Sequence, residues 1–243
     1  MQKFRIKPRD RAQELVLAYL NEHSLEEGQR LPTEREFSAR WGINRCTLHS
    51  AIVRLEKEGL LTSRQGSGTY LAPPKLKKNL HDLYSFSETV AAQKRKLETR
   101  LLSFQRVECD KHLSSRFQMT LGHPFYKIAR LRIVDQAPMM LETSYIPVER
   151  CPALEQYDLE HNSLFRIFEE KYGILPTTGE EKISVTCTTD EESAVLDVPA
   201  GSALFWIISE TYDEQGKLIE YCRTAARPDR LQLTTVLEWR EST

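Results

Sequence analysis

The chain has 243 residues, 40% of them hydrophobic, and a formal net charge of −1. That length allows one large domain or two modest ones, each burying its own core, and the charge excludes a uniformly basic coat for nucleic acid. The average conceals an asymmetry: residues 1–78 carry 15 Lys+Arg against 9 Asp+Glu, leaving 19 against 26 in the remainder, so only the N-terminal third suits a polyanion.

Residues 8–24 have helical periodicity, with Ala12, Leu15, Ala18 and Tyr19 near one face and Val16 and Leu20 widening it. Gly28 breaks the pattern. Thr33-Glu34-Arg35-Glu36 fits a capping box that opens a second helix ending near Gly42. Asn44 is placed to cap a third, running to about Glu58 with Leu48, Ile52 and Leu55 inward. So short a connection between two helices is that of a helix-turn-helix. Leu60–Arg64 and Thr69–Leu71 then read as strands around Gln65-Gly66-Ser67-Gly68, where glycine supplies the positive φ of a tight turn. The order predicts a winged helix-turn-helix over residues 1–72.

Ala72-Pro73-Pro74-Lys75-Leu76-Lys77-Lys78 interrupts regular structure, and residues 73–82 are expected to be a linker. Beyond it, strands are expected at Leu97–Glu108, Phe125–Val134, Met139–Ile146, Ile183–Thr188, Leu204–Tyr212, Leu218–Ala226 and Leu231–Trp239. Turns fall at Asp135–Pro138 and Asp213–Lys217, and a helix at Ser163–Tyr172 ends on Gly173. Residues 83–243 should therefore form an α+β domain with a mostly antiparallel sheet.

The five cysteines are scattered without CxxC spacing, which suits a reducing compartment and disfavours a disulfide framework or a structural zinc. No apolar run reaches membrane-span length and the first residues lack a signal-peptide core, so the expectation is a cytoplasmic protein with no membrane partner and no cofactor.

A recognition helix meets base edges with its first turn. Here that turn is Asn44-Arg45-Cys46-Thr47-Leu48-His49. Arg45 can form the bidentate contact with guanine or grip a phosphate, Thr47 can bond phosphate or pack on thymine, and Arg35 in the preceding helix can hold the backbone. Gln65, Gly66 and Ser67 at the wing tip can approach the minor groove. A lone arginine is more often a solvated helix charge. The capped helix pair, glycine wing and basic third together favour DNA contact.

These segments resemble the GntR family of bacterial transcription regulators. The family's hallmarks appear here as Gly28, Leu31-Pro32-Thr33-Glu34-Arg35-Glu36-Phe37, Ile43–His49, Leu55–Leu60 and Gly66-Ser67-Gly68-Thr69-Tyr70. The resemblance implies operator contacts by Arg35, Arg45, Thr47 and the glycine of the wing, and the first turn of the recognition helix and the wing tip add Asn44, Cys46, His49, Gln65, Gly66 and Ser67 to the expected DNA-binding set. His49 departs from the family, which usually places arginine there, and so lacks a permanent charge and a bidentate fork.

The remainder resembles the UTRA effector domain of the HutC-type branch, which shares the chorismate-lyase fold. The resemblance rests on Ile128-Ala129-Arg130-Leu131-Arg132, Leu141–Pro147, Asn162-Ser163-Leu164-Phe165, Gly179–Ile183 and Ile219-Glu220-Tyr221. Independently, Arg130 and Arg132 stand two apart and share one strand face, where paired guanidiniums can clamp phosphate or carboxylate. Ser163 at a helix start adds a hydroxyl beside backbone N–H groups, and Glu142 and Glu220 can accept from sugar hydroxyls or an amine. The other reading is an exposed strand face of weak Arg–Glu pairs. Phe165 falls where related proteins can carry tyrosine, which removes a hydrogen-bonding hydroxyl.

The resemblance implies a ligand-responsive regulator, usually a repressor, that binds a palindromic operator in double-stranded DNA as a homodimer. Its effector would be a small anionic metabolite such as a sugar phosphate. Two other functions remain open: a DNA-targeted lyase-like enzyme, and a DNA-binding dimer with no effector. The six histidines show no metal or triad spacing, which weighs against catalysis.

Overall fold

A computed structural model describes residues 7–64 and 66–237. The chain divides into two compact units, one of Met1–Lys75 with Pro228–Gln232 and one of Leu76–Arg227 with Leu233–Thr243.

The first unit holds the helices α1 (Pro8–Glu22), α2 (Glu34–Trp41) and α3 (Arg45–Lys57), followed by the hairpin β1 (Leu61–Arg64) and β2 (Gly68–Leu71). The expected capping box forms: Thr33 accepts from the Glu36 N–H while the Glu36 carboxylate accepts from Thr33 N–H at 2.7 Å. Gly42 stops α2 in the left-handed conformation, and Asn44 Oδ1 accepts from Cys46 N–H at 2.8 Å to start α3. The inward stripe of α1 is Ala12, Val16 and Leu20, one step from the expected centre, and Ala18 is exposed. That stripe meets Phe37, Leu48, Ile52 and Leu55 in one core. Phe37 stacks on Trp41 at 4.3 Å and meets Tyr19 edge-on at 5.0 Å.

The hairpin has a third partner that sequence periodicity does not announce. Leu31 N–H donates to Thr69 O, Leu71 N–H to Gln29 O and Gly28 N–H to Leu71 O, so residues 28–31 run beside β2. Residues 228–232 also belong to this unit. Lys75 Nζ donates to Pro228 O at 2.7 Å, and Gly59, at φ +71°, lies so close to Asp229 that a Cβ would come within 2.0 Å of its carbonyl oxygen.

The second unit contains a six-stranded antiparallel sheet in the order β4-β5-β6-β9-β8-β7, made by β4 (Leu97–Glu108), β5 (Pro124–Val134), β6 (Ala137–Pro147), β7 (Pro176–Cys187), β8 (Ala203–Asp213) and β9 (Leu218–Ala226). A small separate sheet pairs β3 (Leu76–Asn79) with β10 (Leu231–Thr234), so part of the segment expected as linker is a strand. The turn expected to span Asp135–Pro138 is a two-residue link, Asp135-Gln136, both at positive φ, and Ala137 and Pro138 belong to β6 beside a register shift. The last expected strand ends earlier, at Thr234; its Trp239 lies outside the described residues.

Among the described residues four α-helices accompany the sheet: α4 (Phe86–Ala92), α5 (Lys111–Phe117), α6 (Leu164–Tyr172) and α7 (Asp190–Leu196). On one sheet face Tyr126, Ile128 and Ile146 pack with Leu164, Ile167 and Phe168 of α6. On the other, Phe125, Tyr145 and Tyr221 meet Leu113 and Phe117 of α5, while Leu131, Ile133 and Ala225 meet Leu196 of α7. Among the described residues no helix is long and apolar enough to cross a membrane.

Candidate nucleic-acid interface and effector site

Arg35, Asn44, Arg45, Cys46 and His49 are exposed on α2 and the start of α3, and Thr47 is half-buried beside them. Their placement follows from the caps. Thr33 and Asn44 fix where each helix begins, and the inward stripe of Leu48, Ala51, Ile52 and Leu55 turns Arg45 and His49 outward. Gly66 and Ser67 are exposed at the wing tip; Ser67 Oγ hydrogen-bonds Tyr70 OH. Gln65 lies outside the described residues.

Two neighbours of this surface escape sequence reasoning. Arg30, exposed in the segment beside β2, lays its guanidinium over Gly68, where a Cβ would stand 2.8 Å from Arg30 Nε. Glu34 accepts from, or pairs with, His49 Nδ1 at 2.8 Å across the two helices. Neither residue is marked by a motif of its own, and only tertiary pairing brings them to the site.

In the second unit the period-2 reading of β5 holds. Arg130 and Arg132 point to the same sheet face, and cross-strand register sets Arg130 opposite Glu142. The adjacent register of β6 and β9 adds Ser144, Cys222 and Thr224 to this polar strip. The exposed-face alternative is excluded: Arg130 is 5%, Arg132 3%, Glu142 8% and Glu220 5% exposed. Glu142 Oε2 lies 3.2 Å from Arg130 Nη2 and 3.6 Å from Arg132 Nη1. Neither approach has hydrogen-bond geometry; Glu142 Oε2 and the Nε atoms of both arginines are buried without a hydrogen-bond partner. Arg132 Nη2 donates to Ser87 Oγ at 2.8 Å, and its guanidinium lies 5.3 Å over the Phe86 ring.

Burial pushes the Glu220 carboxyl above its ordinary range, against the opposing pull of the Ser144 hydroxyl and Arg130. Burial likewise weakens the hold of Arg132 on its proton, with Glu142 opposing. Two guanidiniums thus crowd the Glu142 carboxylate without bonding it, beside a second carboxyl whose pKa burial raises. The strip leaves the Nε donors of both arginines unmatched.

The linkage for Glu220 has a definite sign. A carboxyl whose pKa is raised by folding contributes stability that is full below its unfolded value, about 4.3, and is lost as pH rises through the folded value. Glu220→Gln should therefore melt at a higher temperature than the parent at pH 8, with the gap closing toward pH 4. A gap that is constant across this range would contradict the assignment.

Ser163 stands apart from the strip. It caps α6 without spending its hydroxyl on the helix, and it lines a groove of about 940 Å³ between α4, α6 and the start of β4. Ser87, Glu98, Thr99 and Phe165 line it too, and none of Arg130, Arg132, Glu142 and Glu220 does. Arg132 connects the two: it bonds Ser87 and lies opposite Thr99 in the β4–β5 register. The sequence reading passes over Ser87 because α4 is a seven-residue helix, although its Ser85–Glu88 capping box is written in the chain.

A capped helix pair with a glycine wing, joined in one chain to a sheet domain with a buried charged strip, is the build of a transcription regulator. The profile of the bacterial regulatory proteins of the gntR family matches residues 8–71, and that of the UTRA domain matches residues 92–232. The chain belongs to the GntR family and carries a UTRA effector domain. It is 30% identical over 203 residues to the HTH-type transcriptional repressor NagR of Bacillus subtilis, covering 82% of each chain. It is 28% identical over 218 residues to the mannosyl-D-glycerate transport/metabolism system repressor MngR of Escherichia coli, covering 90% of each. The crystal structure of PhnF from Mycobacterium smegmatis superposes with a TM-score of 0.68 at 25% identity, over 94% of this chain and all of that one. These relatives are named as regulators, not enzymes, and the lyase-like alternative is set aside.

Proposed function

We propose that this regulator is a cytoplasmic homodimeric repressor that binds a palindromic operator and responds to a small anionic metabolite, a sugar phosphate being the leading class. Operator contacts are assigned to Arg35, Asn44, Arg45, Cys46, Thr47, His49, Gln65, Gly66 and Ser67. The anion is assigned to Arg130 and Arg132, with Glu142 and Glu220 around it, and Ser163 is assigned to the neighbouring groove, which Arg132 meets through Ser87. DNA binding is assigned to the first unit, expected at residues 1–72 and completed by residues 228–232, and effector binding and dimerisation to the second, which takes residues 76–79 of the expected 73–82 linker as β3.

The observation that carries the effector reading is the pair of buried guanidiniums with unmatched donors. Arg130 and Arg132 share Glu142, and their Nε atoms have no hydrogen-bond partner. A phosphate supplies acceptor oxygens in the geometry that guanidinium forks match. Relatives named for mannosyl-D-glycerate and fructoselysine systems support a carbohydrate-derived ligand. The homodimer reading is supported by β7, which ends the sheet and is exposed along nearly its whole length, including Val185 at 71%.

Thermal shift against matched sugar phosphates, their dephosphorylated sugars and inorganic phosphate tests the effector class. Stabilisation by phosphorylated members, abolished in Arg132→Gln, supports it. Silence from the whole panel favours a dimer without an effector, and a strictly monomeric mass in solution overturns the dimer.

His49→Arg restores a permanent charge and a fork at the recognition helix. It should tighten binding to duplex DNA of unrelated sequence severalfold and steepen the dependence of log affinity on log salt by up to about one unit for each additional phosphate neutralised. A salt titration of both proteins on one duplex reads the slope, and identical slopes would refute a role for this position in holding DNA.

A further inference from the structure

The partner of His49 fixes the chemistry that this side chain can present. Glu34 is the first residue of α2, beside a capping box that Thr33 and Glu36 complete between themselves. The Glu34 carboxylate is therefore not needed as the cap, and it lies 2.8 Å from His49 Nδ1. His49 follows Arg45 by one helical turn, on the same face of α3, and its side chain is 63% exposed. An ionised carboxylate only accepts hydrogen bonds, so Nδ1 must donate to it. A neutral imidazole then has an acceptor, not a donor, at Nε2.

An acceptor aimed into the major groove discriminates by what faces it. Cytosine N4 and adenine N6 offer amino donors, whereas guanine offers only the acceptors N7 and O6, and a phosphate offers only acceptors. The same Nε2 lone pair that binds an amino group repels guanine, so the selection is positive and negative at once. Arginine at this position has the opposite polarity, with donors only, and suits guanine.

We propose that Glu34 is a specificity-determining positioning residue: by holding His49 Nδ1 it makes Nε2 an acceptor, and the protein selects cytosine or adenine where an arginine would select guanine. This rests on the reading that α2 and α3 dock on operator DNA. The charged side chains at neighbouring positions are Arg35 and Glu36 on α2 and Arg45 on α3.

The test is selection from a randomised duplex pool at pH 7.5 by the full-length protein, followed by sequencing. Each half-site should contain one position where an amino-bearing base exceeds guanine by about fivefold, the worth of one net hydrogen bond. His49→Ala should erase the preference there and leave other positions intact. His49→Arg should convert it to guanine. Glu34→Gln, whose amide can either donate or accept, should reduce the preference below about twofold with the rest of the motif unchanged. Both positions lie outside the core, so each variant should melt like the parent, which circular dichroism checks.

A guanine preference in the parent, which a doubly protonated imidazole would produce, overturns the proposal. So does a Glu34→Gln motif identical to the parent's. A protein that enriches no sequence at all overturns the DNA-docking reading itself, a result distinct from either.

Discussion

Glu142→Ala should destabilise the sheet domain by about 3–5 kcal/mol, the cost of removing one partner from a buried charge cluster. Arg130 and Arg132 would then share a strip where both are at most 5% exposed, without the Glu142 carboxylate between them. For a unit of this size that corresponds to a melting decrease of roughly 10 °C. Inorganic phosphate should restore part of the loss and raise the variant's melting temperature more than the parent's, because the released guanidiniums suit an anion. Differential scanning calorimetry with and without phosphate checks both. A variant that melts within a degree of the parent would show that the guanidiniums are solvated and the strip is not a closed charge cluster.

Phe37→Ala should cost about 3–5 kcal/mol in the other unit, through lost transfer free energy and the cavity left behind. Phe37 is fully buried and touches Trp41 and Tyr19, so its removal opens the packing between α1 and α2 rather than a peripheral pocket. The head has only about eighty residues and a correspondingly small margin of stability. The loss is therefore comparable to its whole stability, and DNA binding should disappear at 37 °C while the sheet domain retains its melting transition. Retention of operator binding with a melting change under two degrees would contradict this.

Local signals made the head easy to read. Thr33, Glu36, Gly42 and Asn44 each perform the capping role that their position suggests, because caps depend on chemistry within four residues. Period 2 likewise found β4 with its bounds and put Arg130 and Arg132 on one face. Three helices went unread: α4, α5 and α7 have seven residues each, two turns being too few to display a 3.6-residue period. The capping pairs Ser85–Glu88 and Thr189–Glu192 were nevertheless present as start signals. β7 begins seven residues earlier than its apolar part suggests, since Thr177-Thr178-Gly179-Glu180-Glu181-Lys182 has no alternation to mark it.

The candidate sites were legible in residue type and not in pairing. That Arg130 faces Glu142 depends on the β5–β6 register, and that Arg132 reaches Ser87 depends on tertiary packing. Burial of the strip also exceeds what sequence conveys, because the same Arg–Glu pattern fits a solvated sheet face equally well. Glu34 looks like an ordinary first-turn carboxylate, favourable at a helix N-terminus, until α3 places His49 against it.

Lys75 holds the Pro228 carbonyl, and at Gly59 no side chain would clear Asp229. The reading head is accordingly encoded in two separate stretches of the gene, one at the start and a five-residue piece near the end. Recombination that exchanges heads between paralogues at the Pro73-Pro74 junction would transplant an incomplete module and leave it against a foreign strap. Lineages that trade operator specificity should therefore carry matched changes at both ends of the chain, or else alter the recognition helix in place.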